Sequence, residues 1–320
     1  MKPIDIAAFG EILIDFTYSG TNDDGMAMFA QNPGGAPANV CVAAQKLGSH
    51  TAFLGKAGSD MHGRFLKDTL EAQDVNTDGL RLADDVFTTL AFVSLSPSGE
   101  REFSFARKPG ADTTITKEEM HEDILKNTNI YHVGSLSLTH EPARSATFDS
   151  VKKAREDGAI ISYDPNYRAS LWENEEAAKE GMRSLIPYAD LMKISDEETD
   201  LLTPYKEPEK AAKYLFDQGV KVIVVTLGPD GAYVYSKDGG QLVPGFKSVC
   251  VDTTGAGDSF WAGFLHKVNA TGHKAEDLTA EELADAARFG NAVASLCVEG
   301  KGAIPAMPSL EAVEKRLAGE

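Results

Sequence analysis

Residues 252–260, with the sequence DTTGAGDSF, contain residue types and a spacing that suit chemistry on a phosphate. Gly255, Ala256 and Gly257 stand just before an apolar run typical of a buried helix. Small residues at a helix start leave backbone N–H groups unpaired and accessible, so an anion can approach them. A carboxylate at Asp258 would lie beside that anion, which is costly unless it has a role. We interpret Asp258 as the base that takes a proton from a hydroxyl attacking a phosphoryl group.

Other interpretations of this segment differ in how well they fit. In a dinucleotide-binding loop the third glycine of G-x-G-x-x-G would fall at Phe260, and no acidic ribose partner stands out after it. A Walker A loop needs a Gly-Lys-Ser/Thr sequence, which does not follow here. A tight turn whose aspartate caps the helix stays open on this segment alone.

A second glycine-rich turn, NPGGAPAN at residues 32–39, precedes a predicted helix over 38–47. Gly48 follows that helix and is a favourable residue just beyond a helix end. Backbone amides at its start again face a potential ligand. Asp15 lies near the end of the apolar segment 10–16, where it either caps a turn or accepts hydrogen bonds from sugar hydroxyls.

Most of the chain alternates between predicted strands and helices. The predicted strands are 4–10, 51–55, 130–133, 159–163, 190–194, 221–226 and 231–235, and the longer helices are 143–157, 175–188 and 283–298. Such alternation predicts an α/β fold with a doubly wound, mostly parallel sheet. Ligands of such sheets bind at the carboxyl ends of the strands. The segments 164–168, 193–198 and 226–231 follow three of these strands.

A predicted hairpin at residues 88–95 and 102–107 interrupts this alternation. We interpret it as an excursion from the main sheet, formed together with residues 17–32. Arg107 and the neighbouring phenylalanines would then close over a substrate, and the alternative is a plain solvent-exposed hairpin.

Composition limits the partners. The 320 residues carry a formal net charge of −18 with a pI of about 4.8, which disfavours nucleic acid and anionic lipid. Met1 to Ile6 does not have the unbroken apolar core of a signal peptide, and no apolar run approaches the roughly 20 residues of a membrane span. Three well-separated cysteines are typical of a reducing compartment, so we expect a cytoplasmic protein. No Cys or His spacing indicates a metal site.

Together these motifs resemble the carbohydrate kinases of the PfkB (ribokinase-like) family, and bacterial fructokinases most closely. Residues 252–264 match the family's C-terminal signature, and residues 34–39 with 55–63 match its N-terminal one. The resemblance extends over nearly the whole chain in the right order. It implies one ribokinase-like domain over residues 1–320, with a small β lid formed by about 16–33 and 88–110.

The resemblance also implies the reaction and the residues that perform it. ATP would donate its γ-phosphoryl group to a sugar hydroxyl, with Asp258 as base and the amides of Gly255, Ala256, Gly257 and Asp258 as an anion hole. Arg168 would lie near the phosphates or the sugar. The implied sugar-binding residues are Asp15, Gly34, Gly35, Asn39, Phe103, Phe105 and Arg107. The implied nucleotide-binding residues are Lys193, Ser195, Glu198, Thr226, Gly228, Gly231, Gly255, Gly257 and Asn291.

The metal ions follow from the same resemblance. Glu198 would act on Mg²⁺ through water, and Asp252, Thr254 and carbonyls near Gly302 would hold K⁺. Separately, lid strands with exposed edges often pair between subunits, so we expect a homodimer through the lid. Simpler roles stay open: a surface salt bridge for Arg168, a solvated lysine at 193, a helix-start acid at Glu198 and a satisfied helix amide at Asn291.

Three sequence elements favour fructose and phosphorylation at O6: GEILID, DPN-x-R and KISDEE, which resemble fructokinases. A kinase for 2-keto-3-deoxygluconate, whose acid would need a cationic partner such as Arg107 or Arg168, and a ribokinase-type activity remain alternatives. So does a catalytically silent subunit of the same fold, which the intact GAGD sequence disfavours. A dehydrogenase is disfavoured by the broken glycine pattern.

Overall fold

The computed structural model describes residues 2–95 and 101–319, and the described residues form thirteen strands and ten α-helices. The strands are β1 (Ile4–Phe9), β2 (Leu13–Thr21), β3 (Ala27–Gly34), β4 (Thr51–Gly58), β5 (Asn76–Ala83), β6 (Leu90–Leu95), β7 (Arg101–Ala106), β8 (Thr128–Gly134), β9 (Ile160–Asp164), β10 (Leu191–Ser195), β11 (Val222–Thr226), β12 (Gly231–Ser236) and β13 (Gly239–Pro244). The helices are α1 (Ala36–Lys46), α2 (Met61–Glu71), α3 (Glu122–Lys126), α4 (Ala143–Glu156), α5 (Glu175–Ser184), α6 (Thr199–Leu202), α7 (Pro208–Asp217), α8 (Ala256–Thr271), α9 (Ala280–Cys297) and α10 (Leu310–Ala318).

Nine strands form the central sheet in the order β13-β12-β11-β10-β9-β8-β1-β4-β5. Pairing is parallel from β11 through to β5, while β12 and β13 are added antiparallel at one edge. The predicted mostly parallel, doubly wound sheet is therefore confirmed.

The sheet is covered by helices on both faces because its strands are apolar on both sides. In β1, Ile6 and Ala8 pack into one core with α1, α2, α8 and α9, whereas Ala7 and Phe9 pack into the other with α3, α4, α5 and α7. Near-continuous burial of this kind is what a parallel strand between two helical layers requires. It fixes the strand ends, and therefore the residues that follow them, in a rigid frame.

A second sheet of four strands, in the order β3-β2-β6-β7, stands apart from the first. Asp15 of β2, Ala91 of β6 and Phe105 of β7 are aligned across it, so these residues share one face. Phe16 and Phe92 form the next row, on the opposite face, with their rings stacked at 5.3 Å. The hairpin that sequence placed at 88–107 pairs here as β6 and β7.

Some elements were missed or shifted by the sequence analysis. It did not predict β5 and β13, whose glycines and polar residues weaken the strand pattern. The helix predicted over 175–188 ends at Ser184, because the following Ile-Pro-Tyr segment forms a tighter 3₁₀ turn. Within the described residues, no helix is both long and apolar enough to cross a membrane.

Candidate active site

The three segments that the sequence analysis singled out, 164–168, 193–198 and 226–231, lie at the carboxyl ends of central strands. Asp164, Ser195 and Thr226 are the last residues of β9, β10 and β11. β1 lies between β4 and β8, so the order of the strands reverses at this position in the sheet. Ligands of open α/β sheets bind in the crevice next to such a reversal.

The glycine-rich segment forms the start of α8. Gly255 is the N-cap residue and adopts φ of 76°, and an added Cβ would lie only 2.7 Å from the Cβ of Ala303, so glycine is required there. The N–H of Ala256 donates to the carbonyl of Thr253 at 3.2 Å, which commits this member of the predicted anion hole to the turn itself. The N–H groups of Gly257 and Asp258 belong to the first turn, where a helix supplies no partner.

Asp258 does not cap the helix; instead its side chain contacts α1. Its Oδ2 accepts a hydrogen bond from Nδ2 of Asn39 at 2.8 Å, and the helix start has no side-chain cap. Burial raises the pKa of Asp258, and the hydrogen bond from Asn39 and the charges of Lys193 and Arg168 only partly oppose this effect. A carboxylate with a raised pKa is better suited to accept a proton than an ordinary aspartate.

Asn39 has a polar atom that the protein does not satisfy. The residue is 5% exposed, and its buried Oδ1 has no hydrogen-bond partner among the described residues. An unpaired buried acceptor costs about 1–3 kcal/mol. A ligand hydroxyl near Asn39 would supply the missing donor, so this amide is a candidate ligand contact.

Asp15 and the second glycine-rich turn lie together. The carboxylate of Asp15 lies so close to Gly34 that an added Cβ would overlap Oδ2, and a Cβ on Gly35, at φ of 111°, would overlap the backbone of Glu11. Burial raises the pKa of Asp15 to about 6; Arg168 opposes the shift and Asp258 adds to it. The charges of Arg168 and Asp258 therefore both act on the carboxyl group of Asp15.

Lys193 is buried beneath the start of α8. Its Nζ forms an ion pair with Oδ2 of Asp164 at 2.6 Å and lies 3.3 Å from where a Cβ on Gly257 would be. The alternative of a solvated strand-end lysine is therefore wrong, because the residue is only 5% exposed. The structure places a fixed cation next to the first-turn N–H groups of α8.

Glu198 has both oxygens engaged by backbone and hydroxyl groups. Oε2 accepts from the N–H and Oγ of Ser195, and Oε1 accepts from the N–H of Tyr167 at 2.7 Å. Ser195 and Glu198 thus form a capping box. Arg168, which follows Tyr167 in the chain, is exposed, and its Nη1 donates to the carbonyl of Tyr167 at 2.9 Å.

The remaining predicted nucleotide residues are spread along the edge of the sheet. Thr226 is half-buried, while Gly228 and Gly231 border a short turn with φ of 55° and 107°. Asn291 of α9 is buried, and its Nδ2 donates to the carbonyls of Val243 and Pro244 in β13. The structure thus gives Asn291 the structural role that sequence left open, with its amide nitrogen already occupied.

The residues predicted to hold K⁺ are linked to each other. Oδ1 of Asp252 accepts from the N–H and Oγ1 of Thr254, and Oδ2 accepts from the N–H of Gly302 at 2.9 Å. This carboxylate therefore joins the loop before α8 to the loop after α9. Within residues 2–95 and 101–319, no group of three or more His, Cys, Asp or Glu residues is arranged to hold a metal ion.

Arg107 occupies a different environment from the one sequence predicted. It is 4% exposed, and its guanidinium pairs with Asp112 at 2.6 Å and donates to Thr139 and to the carbonyl of Leu136. A side chain held in this way is an anchor between β7 and the main body, not a group free to close over a substrate. Phe105 is half-buried on the same face as Asp15, whereas the side chain of Phe103 lies outside the described part of the structure.

Two residues next to these groups were not predicted. Asp164 begins the DPN-x-R segment, yet sequence reasoning assigned a role only to its arginine. Glu11 is buried between β1 and β2; its Oε1 accepts from the N–H of Ala36, and Oε2 has no partner among the described residues. Burial raises the pKa of Glu11 to about 7. An acid inside the apolar GEILID segment was the available signal.

Known proteins resemble the whole chain. A family model described as pfkB family carbohydrate kinase matches residues 4–310. The chain is 43% identical over 320 residues to the probable chloroplastic fructokinase-6 of Arabidopsis thaliana, covering 98% of this chain and 82% of that protein.

Solved structures share the fold as well. A fructokinase from Xylella fastidiosa with bound ATP superposes with a TM-score of 0.92 at 33% identity, over 100% of both chains. A Vibrio cholerae O395 fructokinase with bound fructose, ADP and calcium gives a TM-score of 0.88 at 31% identity, over 98% of both chains. These findings confirm the resemblance drawn from the two glycine-rich signatures.

Proposed function

Because this chain belongs to the pfkB family of carbohydrate kinases, we propose that it transfers the γ-phosphoryl group of ATP to D-fructose and forms fructose 6-phosphate. The chain is a sugar phosphotransferase, and fructose is the acceptor favoured by relatives named fructokinases over nearly its full length. The fructose-bound Vibrio cholerae structure supports the same choice.

One observation carries the mechanism: Asp258 is held by Asn39 at the open first turn of α8. We assign Asp258 as the base that takes the proton of the attacking hydroxyl, while the N–H groups of Gly257 and Asp258 stabilise charge on the transferring group. Positioning and fixed dipoles supply most of the catalysis in phosphoryl transfer. The unpaired Oδ1 of Asn39 would accept a hydrogen bond from a second hydroxyl of the sugar, because the proton of the attacking hydroxyl goes to Asp258.

The nucleotide and its metal ion are assigned to the neighbouring strand ends. Lys193 would bind a phosphate oxygen of ATP, and Ser195, Thr226, Gly228 and Gly231 would line the nucleotide site. Glu198 would act on Mg²⁺ through a water, since its oxygens already accept N–H groups. When bound, the metal would neutralise charge on the phosphates. We keep K⁺ near Asp252, Thr254 and Gly302 as a proposal.

The experiment that tests this function is coupled ADP release with Mg-ATP and a panel of fructose, ribose, glucose and 2-keto-3-deoxygluconate, with and without K⁺. We expect turnover that favours fructose. Turnover with another sugar would keep the reaction class and overturn the substrate. The absence of sugar-dependent ADP release would leave the catalytically silent subunit as the better description.

We also propose that the four-stranded sheet is a lid and that two copies of the chain associate through it. Its face carrying Phe16 also presents Tyr18, Phe29 and Phe92, which are 42%, 41% and 38% exposed. Exposed apolar patches are typical of interaction surfaces. Light scattering should give twice the monomer mass for the native chain, and Phe29→Lys should lower it; a monomeric native chain would contradict the dimer.

A cytoplasmic location is proposed on the three free cysteines, two of them buried. The chloroplastic name of the Arabidopsis relative makes a plastid the alternative, and fractionation of the source cells separates the two.

A further inference from the structure

Asp164 stands where the nucleotide and sugar sides of the site meet. It is the last residue of β9, it is 3% exposed, and its two oxygens have different partners. Oδ2 pairs with Nζ of Lys193 at 2.6 Å, whereas Oδ1 accepts from the N–H of Asn166 at 3.1 Å. A single buried carboxylate therefore holds a strand-end lysine with one oxygen and a turn with the other.

On the lysine side, the ion pair fixes both the charge and the place of Lys193. Burial opposes the charged form, but the charges of Asp164 and Glu198 outweigh it, and the pKa of Lys193 is raised. Its Nζ lies 3.3 Å from where a Cβ on Gly257 would be, at the first turn of α8. Without the carboxylate of Asp164, Lys193 would remain buried and lose its ion-pair partner, which is strongly unfavourable.

On the turn side, the hydrogen bond holds a backbone that a non-glycine residue seldom adopts. Asn166 has φ of 47°, in the left-handed region. The next residue, Tyr167, donates its N–H to Glu198 at 2.7 Å, so two carboxylates hold adjacent residues of the turn. Arg168 follows directly, and its charge acts on both Asp15 and Asp258. The direction in which Arg168 leaves the turn is thus set by Asp164 and Glu198.

We propose that Asp164 is a positioning residue for the phosphoryl transfer, placing Lys193 for ATP through one oxygen and Arg168 for the sugar side through the other. This inference rests on the proposed kinase function. It assigns Asp164 no contact with either substrate, and it makes the two halves of the site depend on one side chain.

Two substitutions of Asp164 distinguish the effects of its two oxygens. Asp164→Asn keeps an oxygen that can accept from Asn166 but turns an N–H₂ group toward Lys193, so only the lysine side is lost. Asp164→Ala removes both contacts. We expect Asp164→Asn to raise the Kd for ATP by about tenfold or more and to leave fructose affinity within about twofold. We expect Asp164→Ala to weaken both ligands and to lower kcat further.

Calorimetric titration of ATP and of fructose gives these affinities without turnover, and steady-state kinetics give kcat and both KM values. Asp190→Asn is the matched control: Asp190 also accepts a backbone N–H, from Ile161 of β9, and pairs with Arg155, but it precedes β10 at the other end of the strands. It should leave both affinities unchanged. Equal losses for both ligands in Asp164→Asn, or an unchanged ATP affinity, would overturn the proposal.

A double-mutant cycle with Lys193→Met tests the coupling directly. If Asp164 acts on ATP through Lys193, the double variant Asp164→Asn/Lys193→Met should bind ATP no more weakly than Lys193→Met alone, and additive losses would contradict the proposal. If Asp164→Asn does not fold, the unpaired lysine is removed as well. The fructose affinities of Asp164→Asn/Lys193→Met and Asp164→Ala/Lys193→Met are then compared. Weaker binding only in the alanine variant supports the turn role, and equal binding overturns it.

Failure of the proposed function is distinguishable from failure of this inference. A wild-type chain without sugar-dependent ADP release would remove the kinase itself. A wild-type kinase whose Asp164 variants behave like Asp190→Asn would remove only the positioning role.

Discussion

Asp258 has one oxygen engaged by Asn39 and a pKa raised by burial, a combination suited to accepting a proton rather than to stabilising the fold. Asp258→Asn keeps the shape and the contact to Asn39 but removes the base. We therefore predict a loss of kcat of about 10²–10⁴-fold. The affinity for ATP, measured by calorimetry, should change by less than about threefold, and full residual turnover would contradict the assignment of the base.

The raised pKa of Asp15 leads us to expect that sugar binding depends on pH. Burial raises its pKa to about 6, so in the free protein the carboxyl group is protonated below that pH. An ionised carboxylate accepts hydrogen bonds from hydroxyls better than the acid does. Fructose affinity should therefore rise with pH up to about 6 and level off above it. Calorimetry on Asp15→Asn should show weaker binding without this rise; the same rise in the variant would assign it to another group.

The raised pKa of Asp15 also determines the sign of its effect on folding stability as the pH changes. The folded pKa of about 6 lies above the ordinary value of 3.8, so the contribution of Asp15 to stability is present below pH 3.8 and is lost as the pH rises through 6. Asp15→Asn should therefore raise the Tm at pH 8 and change it little at pH 4. A larger gain at pH 4 than at pH 8, in thermal melts without ligand, would contradict the raised pKa.

At the level of elements, the first turn of α8 is where one added methyl group would lie beside Lys193. A Cβ on Gly257 would lie 3.3 Å from Nζ of Lys193, so Gly257→Ala should fold and yet narrow the space for a phosphate. We predict a loss of kcat/KM for ATP of at least about tenfold with an unchanged Tm. Gly272→Ala, at the far end of α8 with φ of 67° and open space around it, should instead lower Tm and spare activity.

The sequence predicted most elements, and the three segments that it placed at strand ends lie there in the structure. The periodicity of buried strands and the two glycine-rich signatures are local patterns, so α1, α8 and the strands before Asp164, Ser195 and Thr226 were legible. Contacts between residues far apart in the chain could not be predicted from these local patterns. The contact between Asn39 and Asp258 joins residues 219 positions apart, and the pairing of Arg107 with Asp112 depends on how β7 returns to the main body.

Arg107 is an anchor and not a group that closes over a substrate. The sequence analysis missed this role because the partner of Arg107 could not be predicted from a local pattern. An arginine at the end of a hairpin looks available to a ligand when only its strand is known. The fold buries it against Asp112, whose other oxygen accepts from Thr89 Oγ1 just before β6. Asp112 thus binds the segment that enters β6 and the segment that leaves β7. These contacts hold the base of the four-stranded sheet against the main body.

For the whole molecule, the arrangement of two sheets suggests how water is kept from the reaction. The four-stranded sheet joins the main body through anchored crossings, and Oδ1 of Asn32 in β3 lies 3.7 Å from where a Cβ on Gly302 would be. A kinase must exclude water from the γ-phosphate, and we propose that the four-stranded sheet, anchored at its base, closes over the site for that purpose.

Hydrogen exchange distinguishes a lid that closes from a sheet that does not move. Saturating fructose should slow exchange of the amides in β2, β3 and β6, since a closed lid protects strands that open in the free protein. The amides of Arg107 and Asp112 should not change, because these residues are already buried in the unliganded molecule. β12 and β13, at the distant edge of the central sheet, serve as an internal control. Equal exchange in β2, β3 and β6 with and without fructose would show that the second sheet does not close, and water exclusion would then have to come from the ligands and the main body alone.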